Sequence, residues 1–351
     1  MLFLSIIIPV YNSQNSIIPL LNSLISAKKV NFKEIELILV DDASQDNSLE
    51  LIEKWLTLKG QTFKGVKIVS LKKNSGPAQA RNIGVKYAKG KIVLFLDSDV
   101  EVYSNTLFEI IRSFKNDEDL HALTGVWDKK QKGHKLFQKF KALRDWSYWI
   151  NERDPRNYYY LFSTRIAAID RMLFLRLGGF DTTYKAALVE DIELTYRIAK
   201  RYAVIFNPKA IVHHEFEDFW PIFKKYFWRS YYWSRIYRER KKFDPVATTG
   251  KEAVTTISAG GLVILIFLYF GVSILGLVFS IKGVNIYLPY ILYTIYFILF
   301  LHLFGVRKFL WFVFQEEGIG FALYSFLTGI ALYLAILSGA AYSLLWDSRR
   351  N

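Results

Sequence analysis

The chain has 351 residues, of which 52% are hydrophobic and 22% charged, and its formal net charge is +14. This hydrophobic content excludes an intrinsically disordered protein, and a mean hydropathy of +0.15 argues against a chain made only of soluble domains. The chain has no cysteines, which excludes disulfides, thiolate metal sites and a cysteine nucleophile. The basic excess leaves two classes of partner open, nucleic acid and an anionic membrane surface.

The first 100 residues alternate between predicted strands and predicted helices. Continuous apolar runs predict buried strands at 4–10, 36–40, 66–70 and 92–96. Helical spacing and polar starts predict the intervening helices at 16–28, 48–58 and 78–88. This alternation is typical of an α/β, doubly wound sheet with helices on both faces. In such sheets, ligands bind beyond the carboxyl ends of the strands.

Carboxylates follow two of these predicted strands. Asp97 and Asp99 come directly after an apolar strand, at a spacing that brings two carboxylates within reach of one Mg²⁺ or Mn²⁺. An ordinary surface turn is the alternative, since Asp and Ser are frequent turn residues. Asp41 and Asp42 end another strand and either cap the following helix or hydrogen-bond a base or sugar.

Two predicted helix starts carry charged side chains. The Gly76-Pro77 loop opens one helix and places Arg81 one turn into it, an arrangement that can bind phosphate. A capped helix with an exposed arginine is the alternative. Glu190 and Asp191 open a later helix. They either serve the helix dipole or supply a general base for an incoming hydroxyl.

The last quarter of the chain is nearly uncharged. It contains three apolar runs long enough to cross a bilayer, at about 257–281, 284–304 and 319–346. Buried helices of a soluble domain are the alternative, but uncharged runs of this length are rare there. The first ten residues lack the basic start of a signal peptide. We therefore expect the N-terminal domain to face the cytoplasm.

The segment 224–242 lies between these two parts of the chain. It has eight basic residues against one acidic residue and is rich in Tyr, Trp and Phe. On a helical projection the aromatic and basic side chains fall on opposite faces, which is typical of a helix in the headgroup layer. Nucleic-acid binding uses the same residue types. The apolar run that follows favours membrane lipids, and we expect no nucleic-acid partner.

Six motifs together resemble family 2 glycosyltransferases of the GT-A fold. They occur in the order of the family across about residues 4–215: Ser5–Asn12, Val40–Asp46, Asn74–Gly84, Leu96–Asp99, Gly178–Asp181 and Glu190–Asp191. The resemblance implies a UDP-, GDP- or dTDP-sugar donor and a Mg²⁺ or Mn²⁺ ion. It also implies a single displacement that inverts the anomeric centre of the sugar.

The resemblance further implies roles for individual residues. Those at the nucleotide sugar would be Pro9, Val10, Tyr11, Asn12, Asp41, Asp42, Asn74, Gly76, Arg81, Asp97 and Ser98. Asp99, with Asp97, would hold the metal. His214 ends a segment similar to a strand of many members and would be a third metal or phosphate group, or a structural hydrogen-bond partner. Asp191 would be the catalytic base, with Glu190 beside it.

The acceptor side has weaker signals. Membrane-embedded members carry a Gln-x-x-Arg-Trp motif that this chain lacks, and Tyr226–Arg229 is only an approximate counterpart. Arg229 is on that basis a candidate ligand of the diphosphate. An amphipathic stretch at 135–150 lies where the family builds its acceptor site. Its candidate acceptor residues are Arg144, Trp146 and Trp149.

Together these features predict a membrane-anchored inverting glycosyltransferase. The predicted domains are a GT-A domain at 1–215, interface helices at 216–250 and a multi-pass transmembrane domain at 251–351. The acceptor would be a polyprenyl phosphate or a polyprenyl-diphosphate glycan at the cytoplasmic face of the membrane. A glycerolipid acceptor, and a non-catalytic membrane scaffold of the same fold, are the alternatives.

Overall fold

The computed structural model describes residues 2–153, 156, 158–183, 189–244, 246–279, 283 and 286–347. Contacts divide the chain into two units, Met1–Glu217 and Asp218–Asn351. The first unit is an α/β domain built on an eight-stranded sheet. In the described part of the second unit the regular structure is helical, apart from one isolated bridge between Asp244 and Thr248.

The first unit alternates strands and helices along the chain. Its strands are β1 Leu4–Val10, β2 Ile35–Asp41, β3 Gly65–Ser70, β4 Ile92–Leu96, β5 Val100–Val102, β6 Ala122–Trp127, β7 Ile166–Asp170 and β8 Val204–His214. Its helices are α1 Ile17–Ile25, α2 Ser48–Lys59, α3 Pro77–Tyr87, α4 Thr106–Asn116, α5 Leu136–Ile150, α6 Arg171–Arg176 and α7 Glu190–Ile198. Short 3₁₀ turns lie at Phe32–Glu34 and Gly60–Thr62.

Half of the sheet is parallel and follows the predicted pattern. The strand order is β3-β2-β1-β4-β7-β6-β8-β5, and the first four strands in that order pair in parallel. β1, β2 and β4 are buried along their whole length, as their continuous apolar runs require. The predicted strands and helices of this half are therefore confirmed, with bounds that shift by a few residues at most.

The other half of the sheet is mixed. β7 pairs antiparallel with both β4 and β6, β6 pairs parallel with β8, and β8 pairs antiparallel with β5. The register places Leu96 opposite Ile166 and Val100 opposite His214. The end of β4 is thus flanked by the start of β7, and the end of β8 lies beside the start of β5.

One glycine sets how closely α3 approaches the sheet. A Cβ atom on Gly84 would lie 2.5 Å from a methyl carbon of Ile7 and 3.2 Å from one of Val40. A larger residue would therefore push α3 off β1 and β2. Because Arg81 lies on the same helix, this close packing also fixes the depth of its side chain.

The second unit consists of long helices in its described part. They are α8 Phe219–Arg240, α9 Gly250–Phe279 and α10 Tyr287–Asp347. The buried face of α8 includes Ser230 and Tyr231, and Ser230 Oγ donates to the Ile336 carbonyl at 2.7 Å. A Cβ on Gly339 would lie 2.1 Å from the Phe227 carbonyl oxygen, so α8 and α10 are in backbone contact. α8 and α10 therefore pack closely against each other where small residues lie at their contact.

Two of these helices, α9 and α10, are long and apolar enough to cross a membrane. The predicted run 257–281 falls in α9, except that 280 and 281 lie outside the described residues. The runs 284–304 and 319–346 both fall in α10, with 284 and 285 outside the described residues. Gly318, with φ of 82°, interrupts α10 between them. The three predicted spans and domains stay predictions.

Candidate functional site

The loops that follow β1 and β2 are joined to each other by hydrogen bonds. The Asn12 amide donates to Ser44 Oγ at 3.1 Å, and the Gln45 amide donates to Asn12 Oδ1 at 2.8 Å. The Ser13 amide donates to Ser48 Oγ at 2.7 Å. Asn12 has a φ of 49°, a backbone that asparagine tolerates better than most residues. The sequence therefore builds a fixed polar rim at the carboxyl ends of these two strands.

Other residues predicted to contact the nucleotide lie on the same rim. Pro9 and Val10 are buried at the end of β1, whereas Tyr11 is 45% exposed. Asn74 is exposed. The Ser98 hydroxyl lies 2.7 Å from the Ser13 hydroxyl, which connects the loop after β4 to the loop after β1. Their contacts with a nucleotide stay predictions.

Asp42 holds the loop that starts α3. Its two carboxylate oxygens each accept a backbone N–H at 2.8 Å, from Ser75 and from Gly76. Burial raises the pKa of Asp42, and these two hydrogen bonds oppose the rise. Asp41 is buried beside it and accepts from the Ser44 amide at 3.2 Å. Two amides near the start of α3 are thus already bound by protein, which the sequence did not predict.

Arg81 lies at the centre of a buried ion-pair cluster. Only 2% of its side chain is exposed, and its guanidinium lies 2.6 Å from Asp97 Oδ1 and 3.3 Å from Glu190 Oε1. Burial opposes its charge, but Asp97, Glu190 and Asp191 outweigh burial and raise the pKa of Arg81. The cluster therefore joins α3, the end of β4 and the start of α7. Arg81 is therefore enclosed by protein groups, whereas the family resemblance predicted that it lies near a diphosphate.

The two adjacent carboxylates at the start of α7 lie in different environments. Glu190 is 2% exposed and faces Arg81, whereas Asp191 is partly exposed. Asp191 Oδ1 accepts the Ile192 amide at 2.8 Å, which orients the carboxylate at the helix start. Of the two, Asp191 is the carboxylate that solvent reaches. The catalytic roles assigned to both residues stay predictions.

A turn tied to α3 and α7 holds this helix in place. Asn82 on α3 exchanges two hydrogen bonds of 2.8 Å with the Phe180 backbone. The adjacent Gly179 has a φ of 75°, and a Cβ there would lie 2.5 Å from Asn82 Oδ1. Arg197 on α7 donates to the Gly179 carbonyl at 2.7 Å. The Gly-Gly-Phe-Asp motif thus positions Asp191 through its backbone.

Asp99 and His214 meet at the carboxyl end of β4. His214 Nε2 lies 3.5 Å from Asp99 Oδ2, and 57% of the Asp99 side chain is exposed against 9% of His214. Desolvation alone would raise the pKa of Asp99, but the hydrogen bond and charge of His214, with the charge of Arg165, lower it to about 2. The β5–β8 pairing brings these residues together across 115 positions of sequence.

These two side chains suit a divalent cation. Neighbouring ligands of an octahedral Mg²⁺ lie roughly 3 Å apart, given bonds of about 2.1 Å. His214 Nδ1 is buried and has no hydrogen-bond partner among the described residues, so no structural hydrogen bond from them through that nitrogen explains its position. Asp97 commits one oxygen to Arg81. Within the described ranges, no three His, Asp or Glu side chains form a metal-binding group by themselves. A cation here would need substrate oxygens as further ligands.

Arg165 and Trp127 border the same end of the sheet, and the sequence analysis did not identify them. The Arg165 guanidinium lies 4.5 Å from the centroid of the Trp127 ring and 5.7 Å from that of Phe216. Trp127 is 3% exposed, and its Nε1 has no hydrogen-bond partner in the part of the chain that the structure describes. The available signal was a cation directly before the apolar strand β7.

The acceptor candidates on α5 occupy different environments. Arg144 pairs with Glu152 at 2.8 Å. Trp146 is partly buried against the core. Trp149 is 4% exposed, and its ring centroid lies 5.5 Å from that of Trp127. Arg229 lies on α8 in the second unit. The roles of all four toward an acceptor or diphosphate stay predictions.

A second polar cluster lies on the other face of β8. His213 Nδ1 is 3.2 Å from Asp128 Oδ1, and its Nε2 is 2.7 Å from Glu215 Oε1. Tyr103 also donates to Asp128. These carboxylates raise the pKa of His213 against the effect of burial. The cluster borders an open cleft of about 400 Å³. Because successive strand residues face opposite ways, this cleft is separate from the Asp99–His214 pair.

Comparisons with known proteins agree with this arrangement. A sequence model of the family described as Glycosyl transferase family 2 matches residues 5–176. The minor teichoic acid biosynthesis protein GgaA of Bacillus subtilis is 38% identical over 143 residues, 39% of this chain and 31% of that protein. The poly(ribitol-phosphate) beta-N-acetylglucosaminyltransferase TarS of Staphylococcus aureus is 40% identical over 110 residues, 30% of this chain and 18% of that protein. The matches thus span less than a third of either relative.

A solved structure shares the fold. The mannosyltransferase PcManGT of Pyrobaculum calidifontis, in complex with GDP-Man and Mn²⁺, aligns with a TM-score of 0.57 at 15% identity. The alignment covers 98% of this chain and 87% of that one. The order of the motifs, the sheet that carries them and the family match agree. Residues 5–176 therefore belong to family 2 of the glycosyltransferases, and the first unit has the GT-A fold.

Proposed function

We propose that the chain transfers a sugar from a nucleotide sugar to an acceptor hydroxyl, with inversion at the anomeric carbon and with Asp191 as base. The observation that carries this proposal is the cluster at the end of β4. There Arg81 brings the start of α7, with Asp191, together with Asp97, two residues before Asp99. A base carboxylate and a metal-binding carboxylate therefore belong to one site.

The residues divide the reaction between them. The Asn12 and Asp42 loops bind the nucleotide, and their internal hydrogen bonds keep the pocket fixed before binding. Arg81 holds Glu190 and Asp97 in place from within the protein. Partly exposed Asp191 accepts the proton of the acceptor hydroxyl. The new bond forms from that oxygen to the anomeric carbon, while the bond from the anomeric carbon to the diphosphate oxygen breaks.

Asp99 and His214 would hold Mg²⁺ or Mn²⁺. The ion supplies positive charge for the departing diphosphate. The Asp99 carboxylate is ionised at neutral pH, as an aspartate ordinarily is, so it can bind a cation. The PcManGT structure was solved with Mn²⁺, which supports the same choice of ion here.

Two acceptor classes are supported by different observations. The two long apolar helices of the second unit favour a lipid-linked acceptor at the cytoplasmic face of a membrane, such as a polyprenyl phosphate or a polyprenyl-diphosphate glycan. The names of the relatives favour a poly(ribitol phosphate) chain, since TarS is a poly(ribitol-phosphate) glycosyltransferase. We propose the lipid-linked acceptor and treat the polymer as the second candidate.

The experiment is a transfer assay on the full chain in detergent. UDP-, GDP- and dTDP-sugars are tested with a short polyprenyl phosphate and with a ribitol-phosphate oligomer. We expect Asp191→Asn to lower turnover by about 10²- to 10⁴-fold, because the proton acceptor is lost, while nucleoside diphosphate binding is unchanged. Retained turnover in this variant would show that Asp191 is not the base. Transfer only to the oligomer would select the second acceptor.

A further inference from the structure

The backbone places Arg165 at the catalytic edge of the sheet. β7 runs antiparallel to β4, and Leu96 pairs with Ile166 at the end of the ladder. The residue after Leu96 is Asp97, and the residue before Ile166 is Arg165. Both therefore leave the sheet at the same place. Arg165 is brought to the carboxyl end of β4 by the register itself.

Ring contacts connect Arg165 to the Asp99–His214 pair. Its guanidinium lies 5.7 Å from the Phe216 ring centroid, and the Phe216 and His214 rings are 4.7 Å apart in a T-shaped contact. The Trp127 ring also contacts the guanidinium, with 4.5 Å between the guanidinium carbon and the ring centroid. A guanidinium on an indole face keeps its N–H groups free at its edge. Trp127 thus limits where the cation can point.

Arg165 differs from the neighbouring cations in its partners. Arg81 is paired with Asp97 and Glu190, and Lys141, which also lies over the Phe216 ring, is paired with Asp145. Arg165 has no hydrogen bond or salt bridge to the described part of the chain, and its side chain is partly exposed. Five N–H donors in a fork geometry are therefore available beside the proposed metal site.

We propose that Arg165, supported by Trp127, binds a phosphate group beside Asp99. The fork of a guanidinium matches two phosphate oxygens, and a partly buried cation that no described carboxylate hydrogen-bonds gains most from such a ligand. The proposal rests on the proposed function and extends it. It assigns the phosphate contact to Arg165 rather than to the enclosed Arg81. The phosphate comes from the donor diphosphate or from the acceptor, and these sources can be separated experimentally.

The donor arm measures binding of UDP and GDP, with uridine and guanosine as probes that lack phosphate. If the donor supplies the phosphate, Arg165→Gln weakens binding of the preferred diphosphate by about 10- to 100-fold and leaves the nucleoside unchanged. Arg165→Lys, which keeps the charge without the fork, loses less. Arg112→Gln is the matched control, since Arg112 is exposed on α4 and paired with Glu109 at 2.8 Å. Melting temperatures establish that each variant is folded.

The acceptor arm measures binding of inorganic phosphate by ³¹P NMR and of a ribitol-phosphate oligomer and a short polyprenyl phosphate. Weaker binding of one of these acceptors to Arg165→Gln, with diphosphate affinity unchanged, supports the proposal with the acceptor as source. Unchanged affinity for the diphosphates, inorganic phosphate and both acceptors overturns it. If the wild-type chain binds no nucleoside diphosphate, the proposed function fails. The inorganic phosphate measurement then still decides the role of Arg165.

Discussion

The two halves of the sheet differ in how their polar groups are satisfied. Around β1, β2 and β4, the loops hydrogen-bond each other, Asp42 binds two amides, and the Arg81 guanidinium is paired with two carboxylates. Arg81 Nε is the exception there. Around β6, β7 and β8, His214 Nδ1 and Trp127 Nε1 are buried without partners in the described chain.

This difference suggests a division of labour. Buried polar groups in folded proteins are nearly always hydrogen-bonded, so groups without partners indicate where a ligand completes the structure. We propose that the parallel half is a pre-formed nucleotide pocket, in which changes cost stability. In the same proposal the mixed half binds metal and phosphate, so changes there cost activity.

The largest expected effect is on stability, in the parallel half. Arg81→Gln removes the cation that neutralises Asp97 and the buried Glu190. We expect a loss of about 3 kcal/mol, which lowers the melting temperature by roughly 6–12 °C. The control is Lys115→Gln, which removes the cation of the exposed Lys115–Glu34 pair and should lower the melting temperature far less, because an exposed ion pair contributes little to stability. Equal melting temperatures for the two variants would contradict the buried cluster.

The second prediction concerns metal dependence, in the mixed half. His214→Ala removes one of the two proposed protein ligands and should lower Mn²⁺-dependent turnover by about 100-fold, with a higher Mn²⁺ requirement. His213→Asn is the matched control, because His213 faces the other side of β8. Turnover of the wild-type chain should also be lost in chelator and restored by Mn²⁺. Turnover that persists in chelator would contradict the proposed metal site.

The third prediction returns to the nucleotide pocket. Asp42→Ala leaves the Ser75 and Gly76 amides without their acceptor. We expect a loss of about 2 kcal/mol, visible as a lower melting temperature, because two charge-assisted hydrogen bonds disappear. Asp42→Asn keeps one acceptor oxygen and should lose about half as much. If both variants melt like the wild type, the pocket is not held by Asp42.

The smallest expected effect is stabilising. Ala43 has a φ of 61°, a left-handed backbone that costs a non-glycine residue free energy. Ala43→Gly should therefore raise stability by about 0.5–1 kcal/mol, which a melting curve detects. Ala80→Gly, within the regular helix α3, should do the opposite. A destabilised Ala43→Gly variant would show that the strain is absent or offset by flexibility.

The parallel half of the fold could be predicted from the sequence because its strands are continuous apolar runs. β5 has three residues and β6 contains Gly125, so neither has a clear periodic signal. The position of Asp99 near a metal was predicted from its spacing to Asp97 and the strand before it. Its contact with His214 was predicted only through family resemblance.

The remaining features depend on contacts between distant residues. Arg81 looks exposed in sequence, and only its pairing with Glu190, 109 positions away, makes it a buried anchor. Arg165 looks like an ordinary cation before a strand until the β4–β7 register places it beside Asp97. In α8, the burial of Ser230 and Ser234 had no signal in the sequence, because it depends on close contact with a helix that is distant along the chain.

The most direct test of inverting transfer is the anomeric configuration of the product. Sugar is transferred from an α-linked nucleotide sugar to whichever acceptor supports turnover, and the anomeric proton of the initial product is recorded by NMR. A single displacement with Asp191 as base predicts a β-linked product. An α-linked initial product would contradict the single displacement and the role of Asp191 in it.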